Sequence, residues 1–124
     1  MSSNSRTYLI LPKVEVVTIA FIGMFFMIVL DYLRFACSFR GLPKSEWISH
    51  IRFSVKSADL KDVLDKPIRT LSKGFKQRVG IAAVLIGRPK IIILDEPTEG
   101  LDPNQRDEIR ELIKSLSKDH TIVL

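Results

Sequence analysis

The sequence predicts an α/β fold, and three stretches of the chain support this prediction. The run Ile91–Leu94 has four branched apolar residues without alternation, which is typical of a strand buried on both faces in a parallel sheet. A second apolar run lies at 121–124. The helix predicted between them has one apolar stripe, formed by Ile109, Leu112, Ile113 and Leu116 at the i, i+3, i+4, i+7 spacing. We therefore expect parallel core strands at about 91–94 and 121–124.

A Ser-Lys-Gly turn at 72–74 is predicted to open a helix. Ser72 is a good N-cap residue, and Gly74 lets the backbone approach a ligand closely. The segment Val79–Ile86 is almost wholly apolar, so the helix is expected to be buried, and its N-terminus suits a phosphate. Positive charge nearby is expected from Lys73, Lys76 and Arg78. Taken alone, the turn favours an ordinary capped helix over a phosphate site.

Two acidic residues, Asp95 and Glu96, follow the first apolar run. The carboxyl end of a central strand is where α/β proteins place their ligands. Neighbouring strand residues point to opposite faces, so we expect the two carboxylates to have different roles. One can hold a hydrated Mg²⁺, and the other can orient or deprotonate an attacking water. A strand-ending turn with exposed acids explains the pair equally well.

Another turn, Gly100–Pro103, is predicted to start the helix that carries the apolar stripe. Asp102 is a good N-cap residue, and Pro103 fits the first helical position. The stripe itself is expected to lie in the core and to carry no chemistry.

These three features, the turn at 72–74, the apolar run with its acidic pair and the turn at 100–103, resemble in this order the second half of an ABC-type ATPase domain. LSKGF resembles the family's signature motif, usually written LSGGQ; IIILDE resembles its Walker B strand with the adjacent catalytic glutamate; and GLD resembles its D-loop. The residues of these motifs are most similar to those in the ATP-binding subunits of bacterial ABC-type exporters. The chain departs from the signature at Lys73, for Gly, and at Phe75, for Gln. Ser72 and Gly74, the positions that touch the nucleotide in the family, are kept.

The resemblance implies a site shared by two subunits, with ATP and Mg²⁺ as cofactors. Ser72, Lys73 and Gly74 would contact ATP held by the partner subunit. Asp95 would bind Mg²⁺ through water, and Glu96 would be the general base. Asp102, in the D-loop, would couple the two sites.

The resemblance also implies the fold, the partners and the location of the chain. The fold would be a partial P-loop NTPase domain of the ABC type, with a helical subdomain at 29–71 and the signature helix, Walker B strand, D-loop and following helix at 72–124. Helices are expected at 30–40 and from about Ser45. The partners would be a transmembrane permease subunit and a second ATP-binding subunit, at the cytoplasmic side of the bacterial inner membrane.

The phosphate-binding part of this family is missing from the 124 residues. No G-x-x-x-x-G-K-[ST] sequence (Walker A) occurs, the first glutamine is Gln77, and His120 precedes its strand and so is not the family's switch histidine. We therefore expect that this chain alone neither binds ATP tightly nor hydrolyses it. The alternative to an ATPase subunit is a non-catalytic remnant or a fragment that binds a partner.

Residues 1–28 are apolar and are not expected to match the family. The stretch Val16–Leu30 is shorter than the roughly 18–20 residues that span a bilayer, and Glu15 and Lys13 precede it. It is interpreted as a membrane anchor, a buried strand or helix, or sequence unrelated to the following domain. The last interpretation is preferred.

The formal net charge of +5 is concentrated in the middle of the chain. Few aromatic residues lie among these basic residues, and a surface that faces polyphosphate and acidic membrane explains them, so nucleic acid is not expected as a partner. Cys37 is the only cysteine, which excludes a disulfide within the chain and fits a reducing compartment.

Overall fold

The structure is a computed structural model that describes residues 26–124, which form four α-helices and a two-stranded sheet. The helices are α1 (Val29–Phe39), α2 (Lys44–Ala58), α3 (Lys73–Leu85) and α4 (Pro103–Leu116). The strands are β1 (Ile91–Ile93) and β2 (Thr121–Val123). Two short 3₁₀ turns, Lys61–Val63 and Ile68–Thr70, connect α2 to α3.

The two strands are parallel, and α4 provides the connection between them. Ile91 lies opposite Thr121, and Ile93 lies opposite Val123. The Leu94 N–H donates to the Val123 carbonyl at 2.9 Å, which extends the ladder by one residue. The expected α/β architecture, with parallel strands near 91–94 and 121–124, is confirmed.

The expectation that the first strand is buried on both faces is wrong. Ile92 is buried against α3 and α4, but Ile91 is 61% exposed and Ile93 is 73% exposed. An unbroken apolar run makes both faces of a strand apolar, and the helices of residues 26–124 cover only one of them. Exposed apolar surface is therefore present on the face that carries Ile91 and Ile93.

Helix α3 lies between two apolar clusters and contributes to both. The first cluster joins α1, α2 and the 3₁₀ turns to α3, and consists of Val29, Leu33, Val55, Ala58, Leu60, Val63, Ile68, Val79 and Ala82. The second joins α3 to the sheet and α4, and consists of Ile81, Leu85, Ile92, Leu94, Leu101, Ile109, Leu112 and Leu116. Burial of these side chains on both sides fixes the direction of α3, and therefore of the turn that opens it. The predicted core stripe of α4 is confirmed.

Helix α1 begins and ends within a residue of the sequence prediction, and α2 begins within a residue of it. Gly41 has a φ of 71° after α1, a conformation that glycine adopts without strain. Ile68–Thr70 forms a 3₁₀ turn, in which the Thr70 hydroxyl donates to the Pro67 carbonyl at 2.7 Å. This local bond satisfies a carbonyl that an extended chain would leave open.

Candidate functional site

Ser72 caps the N-terminus of α3, as the sequence predicts. Its backbone is extended, and its Oγ accepts a hydrogen bond from the Phe75 N–H at 3.2 Å. The Lys76 N–H donates to the Ser72 carbonyl at 2.9 Å, which is the first helical bond. The N–H groups of Lys73 and Gly74 have no helical carbonyl one turn earlier. They lie at the positive end of the helix dipole, where an anion is stabilised.

The first turn of α3 lies against the turn that precedes α4. Gly74 is buried, and a Cβ atom added to it would lie 3.3 Å from Cγ and Cδ of Gln105. On the other side, the Lys73 ammonium lies 3.6 Å from the position of a Cβ atom on Gly100, whose φ is +72°. The structure therefore brings together the turns at 72–74 and 100–103, which the sequence analysis identified separately.

Asp102 caps α4 and thereby positions the residue that contacts Gly74. The Asp102 Oδ1 accepts from the Gln105 N–H at 2.8 Å, and Pro103 occupies the first turn, so both predictions for this helix start are confirmed. Gln105 thus has its backbone held by the cap and its side chain packed on Gly74.

The predicted acidic residues, Asp95 and Glu96, are both exposed in a turn after β1. Glu96 has a φ of +44°, and the Glu99 N–H donates to its carbonyl at 3.1 Å. The strand has ended at Ile93, so the expectation that the acidic pair points to opposite faces by strand alternation does not apply here. Tight turn geometry, and not the pleat of a sheet, sets the direction of these carboxylates.

The carboxyl group of Glu96 has a raised pKa. The main cause is a side-chain hydrogen bond with Glu99, followed by the negative charges of Glu99 and Asp95, with a small effect of desolvation. A raised pKa makes a carboxylate a stronger base, which suits a group that accepts a proton from water. Sequence reasoning missed Glu99, although its position three residues after Glu96 in a Pro-containing turn is a signal that the two can meet.

Arg78 does not add positive charge to the turn at 72–74, so that expectation is wrong. Its guanidinium donates to the Ala58 carbonyl at 3.2 Å and to the Glu108 carboxylate at 3.3 Å. These bonds join α3 to the end of α2 and to α4. Arg78 lies more than one helical turn beyond Ser72. Its side chain therefore packs between α3 and its neighbours, away from the N-terminus of α3.

Ser72 and the two acids occupy separate places within residues 26–124. No hydrogen bond among these residues joins Ser72 to Asp95 or Glu96. In the same part of the chain, no group of three or more His, Cys, Asp or Glu side chains is arranged to hold a metal ion. The site therefore has a Ser72-capped turn and an acidic turn that no hydrogen bond of Ser72 joins.

A family model described as ABC transporter matches residues 8–99. The chain belongs to the ABC transporter family. The match begins ahead of residue 29 and so includes part of the segment 1–28 that the sequence analysis expected to lie outside the family. Residues 1–25 lie outside the described part of the structure.

Several relatives of this chain are described as ATP-binding proteins of ABC transporters. The energy-coupling factor transporter ATP-binding protein EcfA1 of Bacillus subtilis is 42% identical over 88 residues, which are 71% of this chain and 31% of that protein. EcfA1 of Geobacillus kaustophilus is 38% identical over 94 residues, which are 76% of this chain and 34% of that protein. The chain thus spans about a third of the length of these relatives.

A solved structure shares the fold. The cbiO1 protein of Clostridium perfringens, described as part of the ABC transporter complex cbiONQ, superposes with a TM-score of 0.71 at 36% identity. The superposition covers 80% of this chain and 41% of that one. The predicted P-loop NTPase fold of the ABC type is confirmed. Within residues 26–124, no helix is long and apolar enough to cross a membrane, and most of the stretch proposed as an anchor precedes residue 26.

Proposed function

We propose that this chain is part of an ATP-binding subunit of an ABC-type transporter, and that its turn at 72–74 contacts ATP held by a second such subunit. The observation that supports this proposal is that Gly74 packs on Gln105 at the N-terminus of α3, which Ser72 caps. The Ser72 hydroxyl and the N–H groups of Lys73 and Gly74 would hold the γ-phosphate. The ammonium of Lys73, beside Gly100, would add positive charge.

The acidic turn would serve the ATP bound by this chain's own subunit. Mg²⁺ is usually held by one or two carboxylates, waters and substrate phosphates, so the single carboxylate of Asp95 fits a site reached through water. Bound there, the ion would neutralise charge on the phosphates. Glu96, exposed and made more basic by Glu99, would orient a water and take its proton. Asp102 would couple the two ATP sites through its cap of α4.

The subunit would act beside a transmembrane permease subunit and a second ATP-binding subunit, peripheral to the cytoplasmic side of the membrane. The description of cbiO1 as part of a transporter complex supports this arrangement. The exporter type is proposed because of the amino-acid residues that form the motifs at 71–75 and 91–103. The second candidate is a subunit of the energy-coupling factor type, which the identity of 42% to EcfA1 of Bacillus subtilis favours.

A chimera tests the proposal with a complete ATPase. Residues 29–124 replace the superposed segment of cbiO1, so that cbiO1 supplies the rest of the subunit, and ATP hydrolysis is measured as released phosphate. We expect hydrolysis by the chimera, and its loss by at least about 100-fold on Glu96→Gln, as for removal of a general base. Glu111→Gln, a neutralisation at an exposed position of α4, is the control. Unchanged hydrolysis after Glu96→Gln would refute the assigned role.

A further inference from the structure

A pocket of about 460 Å³ lies between α2 and the segment that joins α3 to β1. Seven residues line it, of which three are cationic (Arg52, Lys56 and Arg88) and none is acidic. The turns at 72–74 and 95–96 contribute no residue to its walls. The pocket therefore concentrates positive charge at a place that the proposed ATP sites do not use.

The guanidinium of Arg88 is held at one wall of the pocket. It lies over the ring of Phe53, 4.8 Å from the ring centre, and its Nη2 donates to the Ser49 Oγ at 3.4 Å. Phe53 packs against the second apolar cluster, so the ring beneath the guanidinium is itself held in place. An arginine has five N–H donors, and most of those of Arg88 are left for a further acceptor within residues 26–124.

The backbone around Arg88 directs its side chain back onto α2. Gly87 has a φ of +88° and Arg88 has a φ of +50°, a conformation that is uncommon for a bulky residue. The Gly87 N–H donates to the His50 Nδ1 at 3.2 Å, and the Arg88 N–H donates to the Leu85 carbonyl at 2.9 Å. The turn is thus bonded to both α2 and α3, and it positions Arg88 at the pocket.

Helix α2 supplies the opposite wall. Ser45, Ser49, Arg52 and Lys56 follow one another at helical spacing, which places them along one face of α2. Within residues 26–124, the side chains of Arg52 and Lys56 form no ion pair or hydrogen bond. The Ser49 hydroxyl accepts from Arg88 and still has its own hydrogen to donate. Two cations and a hydroxyl donor therefore lie across the pocket from the backbone of Arg88.

We propose that this pocket binds the dianion of a phosphate monoester, with Arg52 and Arg88 contacting its oxygens, Lys56 adding a third positive charge and Ser49 donating its hydroxyl. A planar guanidinium presents paired N–H donors that match two oxygens of a phosphate. The donors come from two walls of the pocket, which suits the three terminal oxygens of a phosphate monoester. A free phosphorylated metabolite and the headgroup of phosphatidic acid share this chemistry.

Titration of the ¹⁵N-labelled 124-residue chain with glycerol 3-phosphate, followed by NMR, tests the free form of the ligand. The pH is about 7.5, above the second pKa of a phosphate monoester at roughly 6, and the ionic strength is kept constant so that screening does not change. We expect saturable shifts of the Arg88 Nε–H and of the Ser49 and Arg52 amides, and none with glycerol. The residue-specific signals distinguish this pocket from the turn at 72–74.

Sedimentation of the chain with phosphatidylcholine vesicles, with and without phosphatidic acid, tests the lipid form. Retention only on the vesicles that contain phosphatidic acid would assign the ligand to a membrane. Saturable shifts with glycerol 3-phosphate, without such retention, would assign it to a free metabolite. Either result supports a phosphate monoester site.

A double variant tests the two arginines. Arg52→Ala combined with Arg88→Gly removes both guanidinium groups while keeping the backbone favourable, because alanine suits a helix and glycine adopts a positive φ. We expect the dissociation constant for glycerol 3-phosphate, or that for the phosphatidic acid vesicles, to rise about tenfold or more. Lys114→Ala combined with Lys118→Ala removes the same charge at exposed positions and should leave binding unchanged. Circular dichroism checks that the helices of all variants are kept.

Three results would overturn the proposal. The first is the absence of both saturable shifts and selective retention. The second is binding by the arginine variant that equals binding by the parent chain. The third is equal weakening by the two double variants, which would show attraction by net charge and no site. None of these measurements contains ATP, so their failure is separate from a failure of the ATPase chimera.

Discussion

Substitution of Ser72 separates the structural role of the first turn of α3 from its proposed chemical role. Ser72→Ala removes the 3.2 Å hydrogen bond to the Phe75 N–H. Loss of an N-cap of this kind costs about 1 kcal/mol of the free energy of unfolding, and the exposure of Ser72 argues against a larger value. For a domain of about 100 residues, this lowers the melting temperature by roughly 4–8 °C.

Ser72→Asp should have the opposite combination of effects. Aspartate accepts the same capping bond, and its charge is favourable at a helix N-terminus, so the melting temperature should stay near that of the parent chain. In the cbiO1 chimera, however, the added carboxylate would face the phosphate of ATP. We expect ATP hydrolysis to fall in the order Ser, Ala, Asp, while stability follows the order Ser and Asp above Ala.

Thermal unfolding of the chain, followed by circular dichroism, gives the stability order, and phosphate release by the chimera gives the activity order. Ser45→Ala, at an exposed serine in the first turn of α2, controls for loss of a hydroxyl away from a cap. Parent-like hydrolysis by the Ser72→Asp chimera would show that this residue does not face the nucleotide. An unchanged melting temperature of the Ser72→Ala chain would refute the capping argument.

Two further predictions concern the acidic turn and two glycines, Gly80 within α3 and Gly87 after its end. Glu99→Ala removes both the hydrogen bond and the negative charge that raise the pKa of Glu96, so that pKa should fall, as followed by carboxyl ¹³C NMR. In the parent chain the raised pKa of the Glu96 carboxyl favours folding at acid pH, and this contribution is lost as the pH rises through that pKa. If the pKa of Glu96 does not change in the Glu99 variant, Glu99 is not the cause of the raised value. Gly80→Ala, where no atom lies within 4 Å of an added Cβ, should stabilise by about 0.5–1 kcal/mol in urea unfolding. Gly87→Ala, at a φ of +88°, should destabilise by about 1–2 kcal/mol, and equal effects at both glycines would contradict this.

The features that the sequence predicts correctly are local. The caps at Ser72 and Asp102 depend on a side chain that bonds an N–H three residues later, so the residue type and its immediate neighbours suffice. The apolar stripe of α4 can likewise be predicted from the sequence, because the period of the helix alone sets which residues share a face.

The features that sequence reasoning missed depend on contacts between distant parts of the chain. The contact of Gln105 with Gly74 needs the relative position of two helices that the two apolar clusters determine. The Nδ1 of His50 accepts a bond from the Gly87 N–H at 3.2 Å, which ties α2 to the segment after α3, and the two residues are 37 positions apart. The exposure of Ile91 depends likewise on which segments cover the sheet and not on the strand itself.

The most direct test of the two-subunit site is ATP hydrolysis by the purified 124-residue chain, alone and mixed with cbiO1 whose own signature serine is changed to alanine. The chain contains no Walker A sequence, so we predict no turnover by the chain alone. In the mixture, we predict hydrolysis that is lost when the chain carries Ser72→Asp but kept when it carries Glu96→Gln, because only Ser72 would face the ATP of the partner. Turnover by the chain alone that Glu96→Gln abolishes would contradict the account.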